Sequence, residues 1–334
     1  MPVLRFMGES NAHYYASRDP LGAPREDGGG DFTTAPEISQ MFGELAGLWL
    51  ADIWTRAGSP AGAIYAELGP GRGTLAKDAL RSMAQFGCGP DVHFVEGSPP
   101  LRRLQAEAVP GAQFHEDLTG LPEDRPLLLV ANEFFDALPV RQLVRAAQGW
   151  RERMVGLGDD GAFRFVAGDQ PMDSAVPGHL RDAADGTILE TCPAASAVMG
   201  EIARRLARQG GVALVIDYGY LQPRTGSTLQ AIARHRKVDP LAEPGTADLT
   251  AHVDFAALAD AAEGTRPLGT ATQGRWLTAL GIDTRAAALA KASPGHAEAI
   301  ETARHRLVAP DEMGELFKVI AFAGAGWPDG AALA

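Results

Sequence analysis

Cysteine is nearly absent from this chain of 334 residues: only Cys88 and Cys192 occur, and they form no C-x-x-C pair. That excludes a disulfide framework and a cysteine-rich zinc site, and it points to a reducing compartment. The eight histidines include no H-x-x-x-H or H-x-H pair, so no metal is expected. Positive charge is also scarce. Thirty Lys and Arg against 42 Asp and Glu leave a net charge of −12, which argues against binding of nucleic acid through its phosphates. No apolar run reaches the ~18 residues of a membrane span, and the N-terminal residues read neither as a signal-peptide core nor plainly as the Arg/Ser-rich amphipathic type of a transit peptide. A cytoplasmic protein without membrane insertion is expected. The remainder, 46% hydrophobic and 22% charged, is ordinary globular composition, long enough for a large sheet core and a further lobe.

Glycine, by contrast, is placed where it carries information. Residues 63–75 read A-I-Y-A-E-L-G-P-G-R-G-T-L: an apolar run ending in an acid, a turn with alternate glycines, then a helical pattern. A parallel α/β sheet builds a nucleotide pocket this way, at the carboxyl end of its first strand. Gly69, Gly71 and Gly73 permit positive φ and close backbone approach. The helix opening at Thr74 aims unpaired N–H groups and a positive dipole end into the crevice. A dinucleotide fingerprint starting at Gly69 requires glycine at position 74, where Thr74 stands. The observed G-x-G-x-G preceded by Glu67 is the form of an S-adenosylmethionine (SAM) pocket, and an acid suits that cationic ligand. A ligand-free β-to-α turn is the alternative.

Further acids extend the pattern. Glu96 ends a short strand predicted over residues 91–96 and lies 23 residues after Gly73, close to the ~20 expected for a ribose-binding acid. Asp117, after a third short apolar stretch, is a candidate for the adenine amino group or else a solvated loop acid. Residues 127–132 predict a buried fourth strand whose polar end, Asn132, Glu133 and Asp136, faces the crevice as the candidate catalytic group. Methyl transfer needs a nucleophile held in line with the S–CH3 bond, and positioning and electrostatics supply most of the rate. A guanidinium acceptor offers five donors in a planar fork, which Glu133 and Asp136 are suited to grip while Phe134 or Phe135 stacks on it. A loop with core phenylalanines and solvated acids is the bland reading. Upstream, Thr34-Ala35-Pro36-Glu37 predicts a helix start, and apolar spacing carries one helix to about Trp54. Thr34, with Asp31 and Thr33, is placed to contact a ligand beside that start.

Those motifs resemble the MidA-like SAM-dependent methyltransferases, which include a mitochondrial complex I assembly factor that methylates an arginine. The matching blocks are G-D-F-T-T-A-P-E-I-S-Q-M-F-G-E-L (30–45), E-L-G-P-G-R-G-T-L (67–75), V-E-G-S-P-P-L-R (95–102) and A-N-E-F-F-D-A-L-P-V-R-Q (131–142). Further on come I-D-Y-G-Y (216–220), D-P-L (239–241), P-G-T-A-D-L-T-A-H-V-D-F (244–255) and M-G-E-L-F-K-V (313–319). The likeness spans essentially the whole chain. It implies an α/β class I (Rossmann-like) methyltransferase fold, a mostly parallel sheet with helices on both faces plus an inserted α+β lobe. It also implies SAM as donor, S-adenosylhomocysteine as product, and a protein arginine as acceptor, with a complex I subunit the first candidate. In this family the block around Thr34 borders the SAM pocket. A eukaryotic chain of this kind would work in the mitochondrial matrix. Two departures beside the presumed lid, a shortened leading segment and extra Pro/Gly-rich sequence over 23–30, bear on substrate access.

The expected organisation is a helical lid segment over 1–60 and a SAM-binding core over 61–145, 190–220 and 311–325. An inserted lobe would occupy 146–189 and 221–310. Within this frame the residues predict a hairpin around Gln148-Gly149, weak structure over 158–190, a helix over 194–208 and a buried strand over 211–217. Asp217 and Tyr218 at that strand's end are placed to meet a substrate. Residues 221–245 read as irregular, 255–262 and 285–307 as helices, and 316–322 as an antiparallel strand. His252 and Asp254, at i,i+2, either line the substrate side of the cleft or are structural, the more frequent outcome for such a histidine. Two other functions are compatible with such a chain: an NAD(P)-dependent oxidoreductase, and a SAM-fold scaffold without turnover. Oligomeric state is not legible.

Overall fold

Apolar strand runs bounded by glycine turns are what the computed structural model assembles first into a sheet. It describes residues 1–17, 33–233 and 236–333. Seven strands form the main path of one eight-stranded sheet: β1 Ile64–Leu68, β2 Asp91–Val95, β3 Gln113–His115, β4 Leu127–Asn132, β5 Gly211–Tyr220, β6 Arg266–Thr272 and β7 Phe317–Ala323. Their order is β6-β7-β5-β4-β1-β2-β3. β3, β2, β1, β4 and β5 pair in parallel, whereas β7 runs antiparallel to both β5 and β6. β1 and β4 are buried at every position, as strands covered on both faces must be. This is the class I methyltransferase topology, with β7 as the expected antiparallel strand.

The chain divides into two units. The larger holds Thr33–Phe135, Val198–Gly219 and Ala257–Ala334, and therefore the sheet. Its core joins the helix Gln40–Arg56 to β1, β4, β5 and β7 through Met41, Phe42, Leu45, Trp49, Tyr65, Val130, Ile216 and Val319. Two glycines let that helix approach the helix Thr74–Ala84 closely. A Cβ on Gly47 would fall 2.3 Å from the Ala79 carbonyl oxygen, and one on Gly43 would fall 2.8 Å from the Asp78 Cβ. The glycine turn is thereby anchored through the helix that leaves it.

The smaller unit takes in the helix Val3–Ser17, Asp136–Ala197 and Tyr220–Ala256. It has a four-stranded antiparallel sheet in the order Phe163–Pro171, Gly149–Leu157, Arg141–Ala146, Ile188–Thr191. A three-stranded sheet runs Arg236–Val238, Gln230–Ala233, Asp248–Thr250. Val3, Phe6, Met7, Val140, Val155 and Leu249 form its apolar centre. Beside them lies a buried polar network, in which Gln142 Nε2 donates to Glu190 Oε2 at 2.6 Å and Thr228 Oγ1 donates to the same carboxylate.

This division redraws the expected one. Residues 33–60 pack in the larger unit, not with the N-terminal helix, because their helix fills the main core. Residues 257–310 also belong there: β6 pairs with β7, and Trp276, Leu277, Ile282 and Leu307 join the core. Residues 136–145 go instead to the smaller unit.

Local corrections have local causes. The single helix expected after Thr34 is two, Ala35–Ile38 and Gln40–Arg56. Extended Ser39 separates them, and its hydroxyl accepts from Met41 N at 3.2 Å to cap the second. The helix expected over 285–307 breaks into Ile282–Ala292 and Ala297–Val308 at Pro294, which cannot donate to a continuing ladder. Weak structure over 158–190 hides the strand Phe163–Pro171, an edge strand exposed along most of its length and so without an apolar alternation. The irregular stretch 221–245 contains two of the strands of the three-stranded sheet. The extra sequence at 23–30, and Asp31 with it, lies outside the described residues.

Candidate active site

Parallel pairing decides which residues share an edge. Leu68 lies opposite both Val95 and Ala131, and Asn132 lies opposite Ile216. Gly69, Glu96, Asn132 and Asp217, each one step further or at the same step, therefore line the carboxyl ends of β1, β2, β4 and β5. That is where an open α/β sheet binds its ligand.

The turn after β1 is built on positive φ: 59° at Gly69, 56° at Gly71 and 79° at Gly73, which is also the N-cap of the helix Thr74–Ala84. The space beside these glycines is not all open. A Cβ on Gly69 would meet Phe134 Cδ2 at 3.1 Å, and one on Gly73 would meet the Ala108 Cβ at 3.3 Å. At those two positions the positive φ calls for glycine, and a Cβ would also be a tight fit. Thr74 does not present an idle hydroxyl, since its Oγ1 donates to Glu37 Oε1.

The acids differ in how they are held. Glu67 is buried on β1 between Phe94 and Val130 of the flanking strands, and accepts from Tyr65 Oη at 2.6 Å. Burial pushes its carboxyl up to about 7, although the tyrosine bond works in the opposite direction. Glu96 accepts from Ser98 N at 2.7 Å through Oε1 and from Gln105 Nε2 at 3.1 Å through Oε2. Burial raises its carboxyl as well, opposed by those two bonds. Asp117 caps the short turn Leu118–Gly120, accepting from Thr119 N at 2.8 Å, and is exposed.

At the end of β4, Glu133 adopts φ 50°, a left-handed conformation that a non-glycine residue holds only when its surroundings enforce it. Its Oε1 accepts from Ala35 N at 3.1 Å and Asn132 Nδ2 at 3.2 Å. The first bond ties the start of the helix Ala35–Ile38, whose N-cap is Thr34, to this edge. Asn132 is buried, and its Oδ1 finds no hydrogen-bond partner among the described residues. Phe134 and Phe135 meet edge to face with centroids 5.3 Å apart. Phe135 is core, and Phe134 walls the glycine turn. Asp217 corrects an expectation. It is fully buried and accepts from Phe135 N at 3.0 Å and Tyr218 N at 2.9 Å, so it pins the loop and is not presented to a substrate. Asp136 opens the smaller unit, where it is buried and its carbonyl accepts from Ala251 N at 3.0 Å.

Two features escaped the sequence. Gln105, buried in the helix Pro99–Ala108, reaches both Gly71 and Glu96. His93 and His115, far apart in the chain, stack across β2 and β3 with Nδ1 and Nε2 2.9 Å apart. Burial depresses His93 to about 4, helped by its neighbour, so the pair is neutral near pH 7. Among the described residues no group of three or more His, Cys, Asp and Glu converges on a metal position, and no helix is long and apolar enough to cross a membrane.

The residues fit SAM by their chemistry. Positive-φ glycines stand at a helix start, the Glu96 carboxylate closes the next strand, and the buried Glu67 carboxylate shows no cationic partner among the described residues. The comparisons agree. Residues 45–272, more than half of the chain, match the model of a family described as "Putative S-adenosyl-L-methionine-dependent methyltransferase". The chain is 37% identical over 336 residues to "Protein arginine methyltransferase NDUFAF7, mitochondrial" of Danio rerio, covering 91% of this chain and 78% of that protein. The Homo sapiens protein of the same name is 37% identical over 344 residues, with 92% and 76% covered. A Burkholderia thailandensis structure solved with S-adenosyl-homocysteine superimposes with a TM-score of 0.85 at 32% identity, covering 99% of this chain and 89% of that one.

Proposed function

The chain belongs to this family of S-adenosyl-L-methionine-dependent methyltransferases, and from that premise we propose that it methylates an arginine side chain of a protein. The observation that carries the reading is the meeting, at one sheet edge, of the glycine turn, Glu96 and the Asn132–Glu133 pair. The arginine assignment is supported by the names of the curated relatives, which span most of this chain.

When bound, the donor supplies a methyl group activated by a sulfonium. The protein's own task is to hold and orient. Glu96 is set to accept from the ribose hydroxyls, and Glu67 to compensate positive charge above β1. Asp117 is assigned to the adenine end and Thr34 to the rim. Glu133, fixed by Ala35 and Asn132, offers a carboxylate to the N–H fork of a guanidinium. Phe134 offers a ring face to the same planar cation. Such a fork is always charged, so an acceptor nitrogen gains nucleophilicity only as bonds to carboxylate draw positive charge away from it. Asp136 is assigned to the acceptor side as well.

A subunit of respiratory complex I is the acceptor we propose, modified in the cytoplasm of a bacterium or in a mitochondrial matrix. The test is mass spectrometry of a deletion strain complemented with wild type or Asp136→Asn, with complex I subunits examined first. Loss of one methylarginine, restored only by wild type, is the expected result. Methylation of lysine or of a small molecule, with methylarginine unchanged, overturns the assignment.

A further inference from the structure

We propose that Gln105 is a positioning residue for nucleoside recognition: it ties the Glu96 carboxylate to the backbone of Gly71 and so sets the group that reads the donor's ribose. The inference rests on Glu96 as the ribose acid. In the helix Pro99–Ala108 only Leu101 and Gln105 are buried, four residues apart on one face. An amphipathic helix calls for a second apolar side chain at that position, and glutamine stands there with no solvent exposure at all.

The amide's orientation follows from its surroundings. Nε2 lies 2.8 Å from the Gly71 carbonyl oxygen and 3.1 Å from Glu96 Oε2, both acceptors, so nitrogen and not oxygen must face them. Oε1 is then left buried without a hydrogen-bond partner among the described residues. An orphan buried acceptor is a cost that leucine would spare, so the two bonds made by the nitrogen are what the position serves. With Oε2 held by Gln105 and Oε1 by Ser98 N at 2.7 Å, and with Arg102 Nε on the Glu96 carbonyl at 2.6 Å, the acid is fixed from both sides. A carboxylate has about four lone-pair sites, so Glu96 keeps acceptor capacity beyond these bonds, which suits ribose hydroxyls.

Gln105→Leu and the closer isostere Gln105→Met test this by calorimetry with S-adenosylhomocysteine and its 2′-deoxyribose analogue. Wild type is expected to prefer the ribose form by about tenfold or more, because a site built on a hydrogen bond rejects the ligand lacking it. In both variants the preference should collapse toward unity. KM for SAM should rise about tenfold while kcat stays within about threefold, since ground-state and transition-state binding are lost together. If affinity falls equally for both ligands and the preference survives, Gln105 is packing only and the proposal is wrong. If wild type itself shows no preference, the assignment of Glu96 to the ribose fails, and the role of Gln105 fails with it.

Discussion

The two units each hold a group of carboxylates, in different settings. In the larger, Glu67, Glu96 and Glu133 stand at or near the carboxyl ends of parallel strands, gathered where the sheet opens. In the smaller, Glu190 sits inside the fold. It accepts from Gln142 and from Thr228, while Arg153 donates to Gln142 Oε1 at 2.7 Å and lies 3.7 Å above the Phe165 ring. A closed network of this kind fixes chain segments to one another. At the edge group, the buried Asn132 Oδ1 lacks a hydrogen-bond partner among the described residues. The contrast teaches that a closed polar network ties chain segments together, whereas carboxylates gathered at parallel strand ends stand where such a sheet binds its ligand.

The largest effect that would break this contrast is at the turn. Gly71→Val forces a β-branched residue into φ 56°, which it resists, so SAM affinity by calorimetry should fall ~100-fold or more while the far-UV spectrum is kept. Wild-type affinity in that variant would remove the turn from the site. Next is Gly47→Val. Its Cβ would lie 2.3 Å from backbone that cannot move aside, so unfolding should be easier by about 3 kcal/mol, read from urea midpoints. Hydrogen exchange should locate the loss in the helices Gln40–Arg56 and Thr74–Ala84.

The pH dependence of stability sharpens the comparison from the donor side. Glu67 titrates at about 7 in the folded protein, above its ordinary value of 4.5. Between those values the folded state keeps a proton that the unfolded state has lost. Its contribution is therefore present below pH 4.5 and disappears as pH rises through 7, up to about 3 kcal/mol. Glu67→Gln should flatten that part of the profile, measured by denaturant midpoints at pH 5 and pH 8. An unchanged slope would show that the carboxyl is not shifted. The smallest effect is expected from Glu190→Gln. It keeps the shape but weakens the bonds from Gln142 and Thr228, at a cost of about 1–2 kcal/mol, and leaves SAM affinity unchanged. A matching loss of donor binding would erase the distinction between scaffold and site.

Legibility in the sequence followed the physics of burial. β1, β2 and β4 were readable because strands covered on both faces are short apolar runs, and Glu67, Gly69, Glu96 and Asn132 stand at fixed steps from their ends. The strand Phe163–Pro171 was not, since an exposed edge strand takes its order from the neighbour that pairs with it. Neither was β6, whose place beside β7 depends on a partner about 50 residues away.

The order of residues alone determined the donor turn: three glycines at alternate positions, an acid before them and another a strand later restrict backbone and charge locally, wherever the rest of the chain goes. Tertiary structure decided who holds those acids. Gln105 reaches Gly71 and Glu96, Ala35 reaches Glu133, and Asp217 reaches the Phe135 amide across 82 residues of chain. A hydrogen bond depends on a separation of about 3 Å in space, and no spacing in sequence encodes that until the sheet has aligned its strands.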